Sequence, residues 1–350
     1  MTELYPNSAQ IMARHVKLAN DVIVVDGQGG CGKTLFSPIV GAIDRVEIMN
    51  YAFPIEWICR LYFFKSISFD GAVSQIQRHV DIQLYQNMMG REVNFRFSDL
   101  SSAFRAHRPM RYFKRIFEAG DMAVPDRIAK ERPILNLTTH DLLPVSEPVF
   151  AALGDRLKFI EIVRHPLFML IQQTLNMERL INNPRDIGVY FQHGQQTVPY
   201  YGFGQRDTFL SLSPVDQAIR AIEYQTRLTF DFKKKNRELY DGRLVTIPFE
   251  LFVKDPDPYV KNLQSLIGFE QTSAFCKALR KQKVPRENVV DGIPLAIYKR
   301  CGWQPPQKGK TERQEYELRR QFAVDQGASE PCLAILDDLS REYESEYQVF

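Results

Sequence analysis

The stretch Val22-Ile23-Val24-Val25-Asp26-Gly27-Gln28-Gly29-Gly30-Cys31-Gly32-Lys33-Thr34 decides how this chain folds. Its first four residues are apolar and β-branched, as in a strand buried on both faces. Gly27 and Gly32, followed by Lys33 and Thr34, fit G-x-x-x-x-G-K-[ST]. Glycines permit a tight turn that aims several N–H groups at one anion, and the next helix adds the positive end of its dipole. Leu35 to Ile43 are compatible with that helix. Gly29, Gly30, Cys31, Gly32, Lys33 and Thr34 are therefore the candidate phosphate-binding residues. Lys33 would supply a mobile point charge, and Thr34 a hydroxyl for phosphate or Mg²⁺. The loop predicts a phosphorylated nucleotide as ligand.

Working outward, strands alternate with helices. Arg45–Asn50, Pro133–Leu137, Lys158–Val163 and Leu244–Pro248 read as further strands. Ser146–Leu153, Pro166–Ile181, Pro214–Asn236 and Pro256–Ile267 read as helices, the last stopped by Gly268. Between about residues 51 and 130 lies a helical insertion, with apolar residues at helical spacing over Gly71–Met89 and Ser101–Ala119. Residues 182 to 208 show no period, and Arg313–Tyr347 forms a charged helical tail within about 310–350. The pattern predicts an α/β chain: one three-layer P-loop nucleotide-binding domain over residues 1–350, with a mainly parallel central sheet and helical insertions. Ligands of such sheets sit at the carboxyl ends of the strands.

Composition narrows the function classes. A net charge of +3 over 350 residues is too small to argue for nucleic acid from bulk electrostatics. No apolar run reaches bilayer-spanning length, and Met1–Ala19 lacks a secretory core. Five scattered cysteines without C-x-x-C argue against a zinc site or disulfide framework and fit a reducing cytoplasm.

The loops expected beside the glycine loop carry more. Thr138-Thr139-His140 follows one strand, Arg164-His165-Pro166 a second, and Pro248-Phe249-Glu250 with Lys254-Asp255-Pro256 a third, closed by Leu266-Ile267-Gly268. In this order, over roughly Val22 to Gly268, the chain resembles the sulfotransferase family. The resemblance implies a nucleotide sulfate donor, 3′-phosphoadenosine 5′-phosphosulfate, with its phosphosulfate on Gly29–Thr34. Arg164 matches the arginine that grips the 3′-phosphate, a forked contact suited to guanidinium. Gln172 stands where the family usually has a serine on that phosphate. His140 matches the catalytic base that takes the acceptor hydroxyl's proton, and Lys33 would stabilise the departing bisphosphate. Under this reading no metal is required. The acceptor is a hydroxyl compound, with carbohydrate suggested by the polar, aromatic 182–208 segment.

Departures from the pattern keep two alternatives open. Gly30 and Lys33 stand where the family commonly has lysine and threonine, Thr138 replaces a lysine, and Gln307-Lys308-Gly309 only echoes the family's Arg-Lys-Gly. A P-loop kinase or NTPase would use Lys33 and Thr34 with Mg-ATP, and Asp141 as the nearest metal-holding carboxylate, Asp26 being misplaced for it. A non-catalytic nucleotide-binding module would use the loop alone. His165 reads as a turn residue, Glu250 and Asp255 as helix-start acids, Trp303 as a candidate adenine platform, and the charges of the tail as a solvated face.

Overall fold

The computed structural model describes residue 12 and residues 15–181, 183–293 and 309–349. β1 (Asp21–Asp26) passes through the glycine loop into α1 (Lys33–Val40), and β2 (Asn50–Tyr51) follows. The insertion supplies α2 (Phe53–Phe63), α3 (Phe69–Met89), α4 (Pro109–Arg115) and α5 (Ala123–Glu131). Alternation resumes with β3 (Ile134–Thr138), α6 (Glu147–Leu153), β4 (Leu157–Val163) and α7 (Pro166–Arg179). A hairpin of β5 (Tyr190–His193) and β6 (Gln196–Pro199) precedes α8 (Pro214–Lys235), α9 (Arg237–Tyr240) and β7 (Leu244–Pro248). Then come α10 (Phe249–Lys254), α11 (Asp257–Ile267) and α12 (Ser273–Lys281), and finally α13 (Glu312–Asp325) and α14 (Glu330–Tyr347).

The central sheet runs β2-β3-β1-β4-β7, parallel throughout, with β1 in the middle. Side chains of a strand alternate between faces. Val22 and Val24 accordingly enter one core with the helices of the insertion and α6, while Ile23 and Val25 enter a second with α1, α7, α8, α10 and α11. The result is three layers, as the alternation predicts. α3 illustrates the helical side. Ser68 caps it by accepting from Gly71 N at 3.1 Å, and Gly90 ends it at φ 81°. Between them Ala72, Ile76, Val80, Leu84 and Met88 form a fully buried stripe. Each larger member contributes about 1.5–3 kcal/mol by leaving water. No helix among the described residues is long and apolar enough to cross a membrane.

Several expected elements differ. Arg45–Asn50 forms only a bridge from Val46 to Ile134 before the two-residue β2. Arg45 sits at φ 64°, outside extended space, and the buried Glu47 turns to Arg115 at 2.6 and 2.8 Å and Arg111 at 2.8 Å. The helix expected over Ser101–Ala119 breaks because Arg108 precedes Pro109 and is held out of helical space at φ −123°, ψ 71°. Part of the aperiodic stretch after 182 is the β5–β6 hairpin, turning at Gly194 with φ 59°. The charged tail is two helices, and its face is not simply solvated: Glu315 and Arg319 are buried, and α13 and α14 pack on α7 and α8.

Candidate functional site

The glycine loop joins the carboxyl end of β1 to α1, and two of its carbonyls are taken up from outside. Gly29 O accepts from Gln173 Nε2 at 3.0 Å and Gly30 O from Arg164 at 2.8 Å. Gln28 O accepts from Cys31 N at 3.2 Å, and Gly32 O from Leu35 N at 2.9 Å. Cys31 N is spent inside the loop, and the first turn of α1 adds N–H groups with no intrahelical partner. Gly32 is obligatory on two counts: φ is 107°, and a Cβ there would lie 2.3 Å from the Phe249 ring. Lys33 is buried at the first position of α1. Its ammonium donates to Gly27 O and, at 3.0 Å, to Gln28 O. Gln172 packs over Gly30, where a Cβ would meet its Oε1 at 3.4 Å.

The carboxylates near this edge are already engaged. Asp26 accepts from Thr139 Oγ1 at 2.7 Å, from Leu142 N at 2.9 and 3.0 Å, and from Leu143 N at 2.9 Å. It therefore fixes the turn after β3. Asp141 Oδ2 accepts from the Tyr200 hydroxyl at 2.5 Å, and burial pushes its carboxyl up to about 7. Glu161 binds Lys233 and accepts from Thr246 at 2.6 Å. Beneath the turn, the buried Arg60 donates to His140 O at 2.7 Å and Asp141 O at 3.2 Å, with its guanidinium 3.9 Å from the Tyr200 ring centroid. Among the described residues no cluster of three or more His, Cys, Asp or Glu could hold a metal.

That turn presents His140. Its backbone N donates to Glu56 Oε1 at 2.8 Å, and its Nδ1 lies 3.1 Å from the same oxygen. The ring stacks within 13° of Tyr51 and 9° of Phe53. A carboxylate on Nδ1 selects the tautomer with hydrogen there, which leaves Nε2 as the acceptor. Glu56 was not among the residues picked out from the sequence. The only signal would have been its place in the first turn of α2, which does not reveal a partner 84 positions away.

On the opposite flank of the loop, Arg164 directly follows β4. Its guanidinium bonds Gly30 O, lies 3.6 Å from Glu250 Oε1, and sits between the Phe249 and Phe168 rings at 4.3 and 5.2 Å. Glu250 is buried, which raises its carboxyl, and it accepts from Tyr343 of α14 at 2.7 Å. His165 caps α7 by accepting from Leu167 N at 3.3 Å. Burial, with Arg164 and Arg319 nearby, lowers its imidazole to about 3, so it is a neutral turn residue, as expected. Arg286 and Arg319 flank the same aromatic rings, and burial lowers both to about 10. Sequence reasoning found Arg164 but not these neighbours. Trp303, Gln307 and Lys308 lie outside the described residues.

Lys33, Thr34, Thr138, Tyr51 and His140 line one cavity of about 830 Å³. It extends along α1 to Arg45 and is walled by α12 and by the segment leading into α4. Seven lysines and arginines line it against two acidic residues. Arg164 and Gln172 are on the other flank, outside that lining.

No family model and no curated protein matches the chain. Among solved structures it is similar to the sulfotransferase domain from the curacin biosynthetic pathway, with TM-score 0.43, 11% identity, and 88% of this chain and 99% of that one covered. The sulfotransferase domain from the Synechococcus PCC 7002 olefin synthase gives 0.39 and 14%, covering 90% and 98%. Mouse sulfotransferase SULT7A1 complexed with PAP gives 0.33 and 11%, covering 92% and 90%. With likenesses of this size, the α/β assignment stands on the sheet order and the strand–loop–helix unit themselves.

Proposed function

We propose that this chain is a sulfotransferase that moves a sulfuryl group from 3′-phosphoadenosine 5′-phosphosulfate to a hydroxyl of an anionic acceptor. The observation that carries the reading is that Lys33, Thr34 and His140 share one cavity, with His140 Nδ1 held by Glu56. The loop amides and Lys33 would hold the phosphosulfate, and Arg164 with Gln172 would meet the 3′-phosphate on the other flank. His140 Nε2 would take the acceptor's proton as its oxygen bonds to sulfur and the bond to the bridging phosphate oxygen breaks. Glu56 would stabilise the imidazolium that forms, and Lys33 the charge on the departing adenosine 3′,5′-bisphosphate. The cationic lining favours an acceptor carrying acidic groups, and its hydroxyl-bearing walls suit an acidic carbohydrate. A cytoplasmic setting belongs to the same proposal.

The kinase or NTPase reading draws support from Lys33 and Thr34 alone. The two carboxylates it would use are engaged elsewhere: Asp26 holds the Thr139–Leu143 turn and Asp141 is buried against Tyr200. Calorimetry separates the two readings. Adenosine 3′,5′-bisphosphate should bind without Mg²⁺ and more tightly than ADP or ATP. Arg164→Ala should remove that preference, and His140→Ala should leave binding intact. Tighter, Mg²⁺-dependent binding of ATP would overturn the proposal in favour of phosphoryl transfer.

A further inference from the structure

The helical insertion carries an exposed apolar surface at the edge of the cavity. Phe97, Met110 and Phe117 are 77%, 64% and 87% exposed, and Phe104 and Ile116 are also exposed. Part of this group is a connected chain of rings. Phe97 meets Phe104 at 5.6 Å between ring centroids, Phe104 meets Phe113 at 5.3 Å, and Phe113 meets Phe95 at 5.0 Å. Met110 and Phe113 stand three apart on α4, and Phe117 continues their stripe just past its end. Single exposed apolar residues need no explanation, but a connected group of this size on one short segment does.

Charge at this surface is predominantly positive. Arg96, Arg105 and Lys114 are exposed and have no acidic partner among the described residues. Of the acids nearby, Glu118 is paired with Arg127 at 2.8 Å, while Asp99 and Asp121 keep their charge and accept only from the neutral donors of Ser101 and Tyr85, so cations outnumber acids here. Asp44 is paired with Arg108 at 3.2 Å. The surface therefore offers rings and unpaired cations together.

We propose that this face, from Phe97 to Phe117, docks on an anionic lipid bilayer. A bilayer surface matches both features at two depths: its phosphates and carboxylates meet the guanidinium and ammonium groups, and the acyl boundary below accepts the rings. An acidic protein surface would satisfy the cations but would leave Phe97 and Phe117 against polar groups. Arg105 and Arg108 also line the cavity that holds His140. Docking would thus turn the cavity's wall toward the lipid, whichever group the enzyme transfers.

The test is co-sedimentation of the full chain with phosphatidylcholine vesicles, with and without phosphatidylserine, at low and high salt. Association is expected only with the phosphatidylserine vesicles, and it should weaken as salt rises. The pair Phe97→Ser with Phe117→Ser, and separately the pair Arg96→Glu with Lys114→Glu, should each lower the affinity by about tenfold or more. All four positions are exposed, so melting temperatures should match the parent's. Failure to associate with anionic vesicles overturns the proposal. So does association that survives both pairs of substitutions, or a change from dimer to monomer on substitution in a protein that does not bind vesicles, which would make this face a self-association surface.

Discussion

Replacing Asp141 with asparagine should flatten part of the protein's pH dependence of stability. Asp141 is buried at the carboxyl end of β3, accepts from the Tyr200 hydroxyl at 2.5 Å, and adopts φ 51°, a conformation asparagine tolerates. Burial raises its carboxyl from 3.8 to about 7, against the pull of Tyr200 and Arg60 toward the charged form. The folded state therefore holds this proton where the unfolded chain has lost it. Stability from this group is fully present below about pH 4 and is lost as pH climbs through about 7. At about 1.4 kcal/mol per unit, the wild type should lose about 2–3 kcal/mol relative to Asp141→Asn between about pH 5 and about pH 8. The substituted amide keeps a carbonyl for Tyr200 and has nothing to titrate. Urea unfolding of both proteins at the two pH values isolates the difference, since all other groups titrate in common. Parallel pH profiles would refute the reasoning and show that Asp141 is ionised in the folded protein at neutral pH.

Three further substitutions probe the same edge. Asp26→Ala strands Thr139 Oγ1, Leu142 N and Leu143 N in a buried site and should cost about 3–5 kcal/mol by chemical denaturation, the larger because the bonds are charge-assisted; a loss under about 1 kcal/mol would return Asp26 to the list of available carboxylates. Gly32→Ala drives a methyl into Phe249 at a positive φ, and calorimetry should find adenosine 3′,5′-bisphosphate binding abolished. Near-normal binding would mean the loop is not the phosphate site. Tyr343→Phe removes the buried bond to Glu250 and should lower stability by about 1–3 kcal/mol while weakening ligand affinity through Arg164; unchanged affinity would show that Glu250 and Arg164 are not coupled.

The glycine loop and the strands around it were legible because each carries its own local pattern. Val22–Val25 is apolar without interruption, Leu244–Pro248 is observed over the residues expected, and Gly32 can be filled by little else. What escaped was long-range. Glu47 reads as an ordinary strand acid, yet its partners are Arg111 and Arg115 on α4. Glu56 bonds His140, and Arg286 and Arg319 approach rings from α10 and α7, pairings that no spacing in the chain encodes. Charge in the tail misled for a related reason. Charge density says that a helix can face water, but only tertiary packing decides whether Arg319 and Glu315 do.

The hold on the glycine loop has an order in time. Gly30 is fixed by Arg164, Arg164 is approached by Glu250, and Glu250 is bonded by Tyr343. A ribosome makes these groups in that sequence, so the loop is complete some three hundred residues before its last support emerges. Until Tyr343 has left the exit tunnel and α14 has packed, a nascent chain carries the glycine loop without its full brace. Under the proposed function, a nucleotide would stabilise the finished protein but give little help to its early folding, and a chain interrupted ahead of residue 343 should retain the loop while binding that nucleotide poorly.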